Sequence, residues 1–257
     1  MSVRVQQSDG VATVTLSNPA RMNAMTRQMW RDLAEVFGQL GADASLRAVR
    51  VRGADGHFCA GGDISEYPGF RFEEASLRAF HEEEVWGGLS AVLACPCPVL
   101  AEIDGNCMGA GLEIASCCDL RLASTRARFG APIARLGFPM APREAQLVAS
   151  RVGASLAAEI LLLAATLPAE RLHGLGFLHA VVAPEALADT AAQRIAQVAV
   201  LSPMAARANK ATLRALQECG IDVEALVASA YAYAGDAEHR EGIDAFLNKR
   251  AARFASP

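Results

Sequence analysis

Twice in the first half of the chain an apolar, strand-like run empties into a loop of small residues. The first passage reads Ala48-Val49-Arg50-Val51-Arg52-Gly53 and continues to Phe58-Cys59-Ala60-Gly61-Gly62-Asp63. The second reads Pro98-Val99-Leu100-Ala101-Glu102-Ile103, then Asp104-Gly105-Asn106-Cys107-Met108-Gly109-Ala110-Gly111. A helical pattern follows each loop, so strand, glycine loop and helix occur in succession twice and predict a mixed α/β core. A small-residue turn entering a helix leaves backbone N–H groups free, at the end where the dipole favours negative charge. The second loop is therefore read as the holder of a developing oxyanion. Glu113 is the single carboxylate of the apolar run behind it and reads as a proton-transfer group.

Other signals fill in the frame. Strands are predicted over 3–5 and 11–16 around Ser8-Asp9-Gly10. Thr26 is placed to cap a helix over 27–40, with Met29, Leu33, Val36, Phe37 and Leu40 on one face. A helix over 73–93 ends at Pro96 and Pro98, and an alternating segment covers 120–122. After the loop Gly137-Phe138-Pro139-Met140-Ala141-Pro142 the pattern is helical, over 143–152, 155–164, 169–175, 184–201, 203–219, 221–233 and 237–254. The expected division is a core over 1–190 and a helical C-terminal part over 191–257.

Composition narrows the classes of partner. A chain of 257 residues with 52% hydrophobic and 20% charged residues buries a substantial core rather than staying disordered. A formal net charge of −4 gives no general attraction to nucleic acid or to anionic lipid. The longest apolar candidate, 156–165, is too short to span a membrane and contains Glu159. No apolar signal region follows Met1. The seven cysteines are an odd number without framework or zinc spacing, so reduced thiols in a cytoplasmic protein are expected, and no metal site.

Five motifs in order carry a resemblance along essentially the whole chain. They are Leu16-Ser17-Asn18-Pro19-Ala20-Arg21-Met22-Asn23-Ala24-Met25, Phe58 to Asp63, Asp104-Gly105 through Glu113 with Cys118-Asp119, Ala127-Arg128-Phe129-Gly130-Ala131-Pro132, and the ending Glu241 to Arg250. The chain resembles the crotonase (enoyl-CoA hydratase/isomerase) superfamily. The resemblance implies an α/β, ClpP/crotonase-like spiral of ββα units with a helical C-terminal trimerisation part. It also implies a homotrimer or dimer of trimers, and an acyl-CoA thioester as substrate without a separate cofactor. Two backbone N–H groups of the implied oxyanion hole map to Ala60 and Ala110. Substrate contacts map to Arg21, Ala24, Gly61, Gly62, Asp63, Ile64, Gly109 and Ile133. Lys249 and Phe254, with Arg250, map to a neighbouring subunit's share of the nucleotide site.

The chemistry implied is polarisation of a thioester carbonyl, which acidifies Cα and makes a conjugated Cβ electrophilic. A carboxylate in a small, apolar stretch such as that around Glu113 is expected to have a raised pKa, suited to proton transfer near neutrality. In hydratases the FG-x-P motif is followed by a second glutamate; here Phe129-Gly130-Ala131-Pro132 is followed by Ile133, which transfers no proton. Glu144 is the nearby carboxylate that would replace it, although its sequence context reads more simply as a surface helix start. Asp63 is expected to cap a helix, and His57 to be a solvated loop residue. Two alternatives share this fold: an acyl-CoA binder without hydratase chemistry, and a thioester hydrolase or decarboxylase.

Overall fold

Asp9 and Gly10, both with positive φ (52° and 74°), fold the first two strands into a hairpin. These are β1 (Ser2–Ser8) and β2 (Val11–Ser17). There follow α1 (Arg27–Ala42), β3 (Ala48–Gly53), α2 (Glu74–Ala79), α3 (Trp86–Ala94), β4 (Val99–Ile103), β5 (Asn106–Met108), α4 (Ala110–Cys117), β6 (Leu120–Ser124) and β7 (Arg128–Gly130). Next come α5 (Pro142–Val152), α6 (Ala154–Leu162), β8 (Thr166–Pro168), α7 (Ala169–Gly174), β9 (Ala180–Val182), α8 (Leu187–Ala199), α9 (Pro203–Ala215), α10 (Val223–Val227) and α11 (Ala237–Leu247). The structure, a computed structural model, describes residues 1–217, 222–228 and 230–254.

The main sheet runs β1-β2-β3-β4-β6-β9, and all its pairs beyond the first hairpin are parallel. A smaller sheet, β5-β7-β8, lies alongside. Parallel strands buried on both faces read as nearly continuous apolar runs; β4 comes close to this, whereas β3 alternates valine with Arg50 and Arg52, and two cores share the pair. Val49, Val51, Val99, Ala101 and Ile103 enter the larger core, with Met29, Leu33 and Phe37 of α1, Leu89 of α3 and Leu112 of α4. Ala48, Leu100 and Leu122 face the other way, onto Leu187, Ala191 and Ile195 of α8. Alternation along a strand produces this split.

The expected cap at Thr26 is present: its Oγ1 accepts from Met29 N–H at 3.1 Å. The helix expected over 73–93 is formed as α2 and α3, joined through a π-helical turn, Phe80–Val85. Residue 190 lies within α8, which is packed on the sheet by side chains from both sides of that point. Two expectations are corrected. The last helix stops at Leu247 rather than running to 254, because Lys249 takes a positive φ of 53° and Arg250 turns back to pair with Glu241 and Asp244. The helix expected over 221–233 is an α-helix only at Val223–Val227 among the described residues, with a 3₁₀ turn beginning at Ala232, and the ends of the 203–219 and 221–233 predictions at Cys219 and Ile221 lie outside them.

Candidate active site

The two small-residue loops are zipped together by backbone hydrogen bonds. Phe58 N–H donates to Asp104 O (2.7 Å), Cys59 N–H to Asn106 O (2.8 Å) and Met108 N–H to Cys59 O (2.9 Å). Gly111 sits where they cross: a Cβ there would stand 2.7 Å from Cys59 O. Gly109 takes the left-handed turn into α4 (φ 46°), which leaves Ala110 an ordinary helical start. An alanine at this position is therefore unstrained. Among the described residues no backbone acceptor takes the Ala110 N–H, so it remains a free donor at a helix N-terminus.

Ala60 differs from expectation. Its N–H donates to Met22 O at 3.0 Å. The first loop thus holds this N–H within the protein, and a ligand oxygen would have to displace the Met22 carbonyl to use it.

Both loops open onto one cleft of about 200 Å³. Ala60, Gly61, Gly62, Ile64, Gly109, Ala110, Glu113 and Ile133 all line it. Much of the remaining wall is apolar, from Trp30, Phe80, Val85, Leu136, Phe138 and Met140, with Tyr67, Arg71 and His81 as polar members. The other mapped positions lie elsewhere on this chain. Arg21 and Lys249 are exposed, and Ala24 is buried. Asp63 caps the 3₁₀ turn Ile64–Gly69, its Oδ1 accepting from Ser65 N–H at 3.1 Å, as expected of a cap. Phe254 packs beside Gly242 and accepts from Arg47 Nη2 through its carbonyl (2.6 Å). His57 stands outside the cleft, its Nδ1 accepting from Asn106 N–H at 3.1 Å.

Glu113 accepts no hydrogen bond among the described residues. Burial, reinforced by the negative charge of Glu144, pushes its pKa up to about 8. A carboxyl group in this state exchanges a proton near neutrality. Ile133 shares the cleft but supplies only apolar surface.

Glu144 is not a surface residue. It is 2% exposed, and its Oε1 lies 2.9 Å from His81 Nδ1. Sequence reading missed His81, which lies 63 positions from its partner. The available signal was a charged pattern, His81-Glu82-Glu83-Glu84, in a helix otherwise turned toward the core. Only tertiary packing shows that the histidine faces the cleft while Glu82 and Glu84 pair with Arg143 and Arg27.

Known proteins are similar to this chain along nearly their whole length. A short-chain-enoyl-CoA hydratase of Clostridium acetobutylicum is 28% identical over 253 residues, which cover 97% of this chain and 95% of the relative. A probable enoyl-CoA hydratase of Rhizobium meliloti is 30% identical, covering 97% and 96%. The crystal structure of an enoyl-CoA hydratase/carnithine racemase from Magnetospirillum magneticum superposes with a TM-score of 0.95 at 34% identity, over 99% of this chain and 96% of that one. A family model for enoyl-CoA hydratase/isomerase matches residues 6–257. With two crossed glycine loops, a carboxyl-bearing cleft and these likenesses over almost every residue, the chain belongs to the enoyl-CoA hydratase/isomerase family.

Proposed function

We propose that the protein acts on an α,β-unsaturated acyl-CoA thioester, using Ala110 N–H to polarise the thioester carbonyl and Glu113 to move the proton. The observation that carries this reading is the pairing, in one cleft, of a helix-start N–H and a carboxyl group that both lack a hydrogen-bond partner among the described residues. A fixed donor aimed at a developing oxyanion contributes about 10²–10³ in rate. Ala60 adds a second donor once the thioester oxygen replaces Met22 O.

Ile133 shapes the mechanism. With one carboxylate, hydration proceeds as a single-base cycle: Glu113 takes a proton from water as the water oxygen bonds to Cβ. The C=C electron pair moves to give an enolate on the thioester oxygen. Protonated Glu113 then returns the proton to Cα, and the thioester carbonyl re-forms. Shifting a double bond uses the same carboxylate to remove one proton and return it at another carbon. The missing second group costs about 10²–10⁴ in rate, so a slow hydratase or a proton-shuttling isomerase fits better than a fast hydratase.

Crotonyl-CoA hydration by wild type, Glu113→Gln and Ile133→Glu tests this. Glu113→Gln lowers turnover at least a hundredfold, and equal turnover would remove Glu113 from the mechanism. Activity that appears only in Ile133→Glu would favour the second reading, an acyl-CoA binder, which the apolar Ile133 side chain supports. The six cysteines among the described residues are buried and form no disulfide, as expected of reduced thiols, and no described helix is long and apolar enough to cross a membrane.

A further inference from the structure

Arg71 lines the cleft and has no carboxylate within ion-pairing distance among the described residues. Its guanidinium carbon lies 3.7 Å from the Phe138 ring centroid and 4.6 Å from that of Tyr67. Its Nη1 is 3.4 Å from His81 Nε2. A guanidinium only donates, so His81 Nε2 accepts and its Nδ1–H donates to buried Glu144. Glu144 thereby fixes the tautomer that lets His81 steady Arg71. The remaining guanidinium N–H groups find no side-chain or carbonyl acceptor among the described residues.

A cation in a largely apolar wall is poorly matched to a purely hydrocarbon ligand. An alkyl chain seated there would strip water from the guanidinium and return no hydrogen bond, which is costly for a charged group. An oxyanion would be matched, since a planar guanidinium takes a carboxylate through two parallel N–H···O bonds. Resting on the thioester reading above, we propose that the preferred acyl group carries a second, free carboxylate, which Arg71 binds.

The carboxylate belongs to the acyl half rather than to the phosphates of CoA because Arg71 shares its cleft with Glu113 and Ala110, the groups at the reacting end. At about 200 Å³ that cleft is also smaller than the roughly 300–1,000 Å³ of sites for drug-sized ligands, so it suits a short acyl chain better than a nucleotide. Phe138 and Tyr67 hold the guanidinium in place by cation–π contact, and His81 acts as a positioning residue.

Calorimetric titration of wild type and Arg71→Met with three probes tests the assignment. The probes are the mono-CoA thioester of trans-2-hexenedioic acid, the neutral trans-2-hexenoyl-CoA, and free CoA. Wild type binds the carboxylated thioester about 10–100-fold more tightly than the neutral one, the range expected for a charge-assisted hydrogen bond. In Arg71→Met the ratio collapses to within about threefold of unity, and in His81→Phe it falls part of the way. The wild-type ratio is read without any variant, so a folding defect does not remove the test. A wild-type ratio near one overturns the proposal while leaving the thioester reading intact. If Arg71→Met weakens all three probes alike, the arginine contacts CoA phosphate and the proposal fails. If none of the probes binds wild type, the thioester reading itself fails, and this proposal with it.

Discussion

At the scale of single residues, Glu113 combines legibility with consequence. Its place after Gly109-Ala110-Gly111 marks it in the sequence, and its apolar neighbours foretell a raised pKa, which the buried setting produces. The contribution of Glu144 to that shift was not legible, because it depends on a helix start being folded inward 31 positions downstream. The sign of the pH effect follows. Folded Glu113 keeps its proton up to about pH 8, whereas the unfolded chain releases it near the ordinary carboxylate value of about 4.3. Between these limits the folded state binds the extra proton, so stability falls as pH rises, by about 1.4 kcal/mol per pH unit at most. Urea unfolding of Glu113→Gln, compared with wild type across this window, should show that part of the decline removed. Catalysis runs the opposite way. The cycle starts from the carboxylate, so kcat/KM rises with pH and levels off above about 8.

At the scale of elements, long amphipathic segments were legible and three-residue strands were not. α1 announces itself through a cap and five apolar positions on one face. β5, β7, β8 and β9, each of three residues, carry too few residues to show a period and depend on partners distant in sequence. The docking of α9 belongs to the same class. Lys210 Nζ lies 2.6 Å from Asp119 Oδ2 and donates to Cys97 O at 2.6 Å, while Arg214 Nη2 reaches Asp119 Oδ1 at 3.1 Å. Asp119 also accepts from Val99 N–H at 2.7 Å, so one carboxylate ties the helix to the start of β4. Asp119→Ala leaves Lys210, 7% exposed, without its counter-charge. The expected loss is about 2–4 kcal/mol, read as a lowered denaturation midpoint in a chemical unfolding curve.

At the scale of the whole molecule, the order of the glycine motifs made the fold legible, and the superposition on a family structure agrees with it. The resemblance also implies trimers, which remains a proposal for this chain. Leu213, Leu216, Val223, Val227, Ile243, Phe246 and Leu247 are exposed on α9, α10, α11 and the turn after α9 and are the apolar side chains such an assembly would cover. Sedimentation at micromolar concentration should return a trimer or hexamer. Phe246→Glu combined with Leu247→Glu should shift it toward smaller species, and an unshifted monomeric wild type would contradict the implied assembly.

The sheet shared by two cores turns residue parity into a map of consequences. Along β3 and β4 the odd positions, such as Val51 and Ala101, press on the layer that contains α1, α3 and α4 and so sets the shape of the cleft. The even positions Ala48 and Leu100 press on α8 alone. Neighbouring substitutions in the same strand therefore separate by phenotype: Ala101 reports on the fidelity of the reaction centre, and Leu100 on how firmly the chain's far side is fastened.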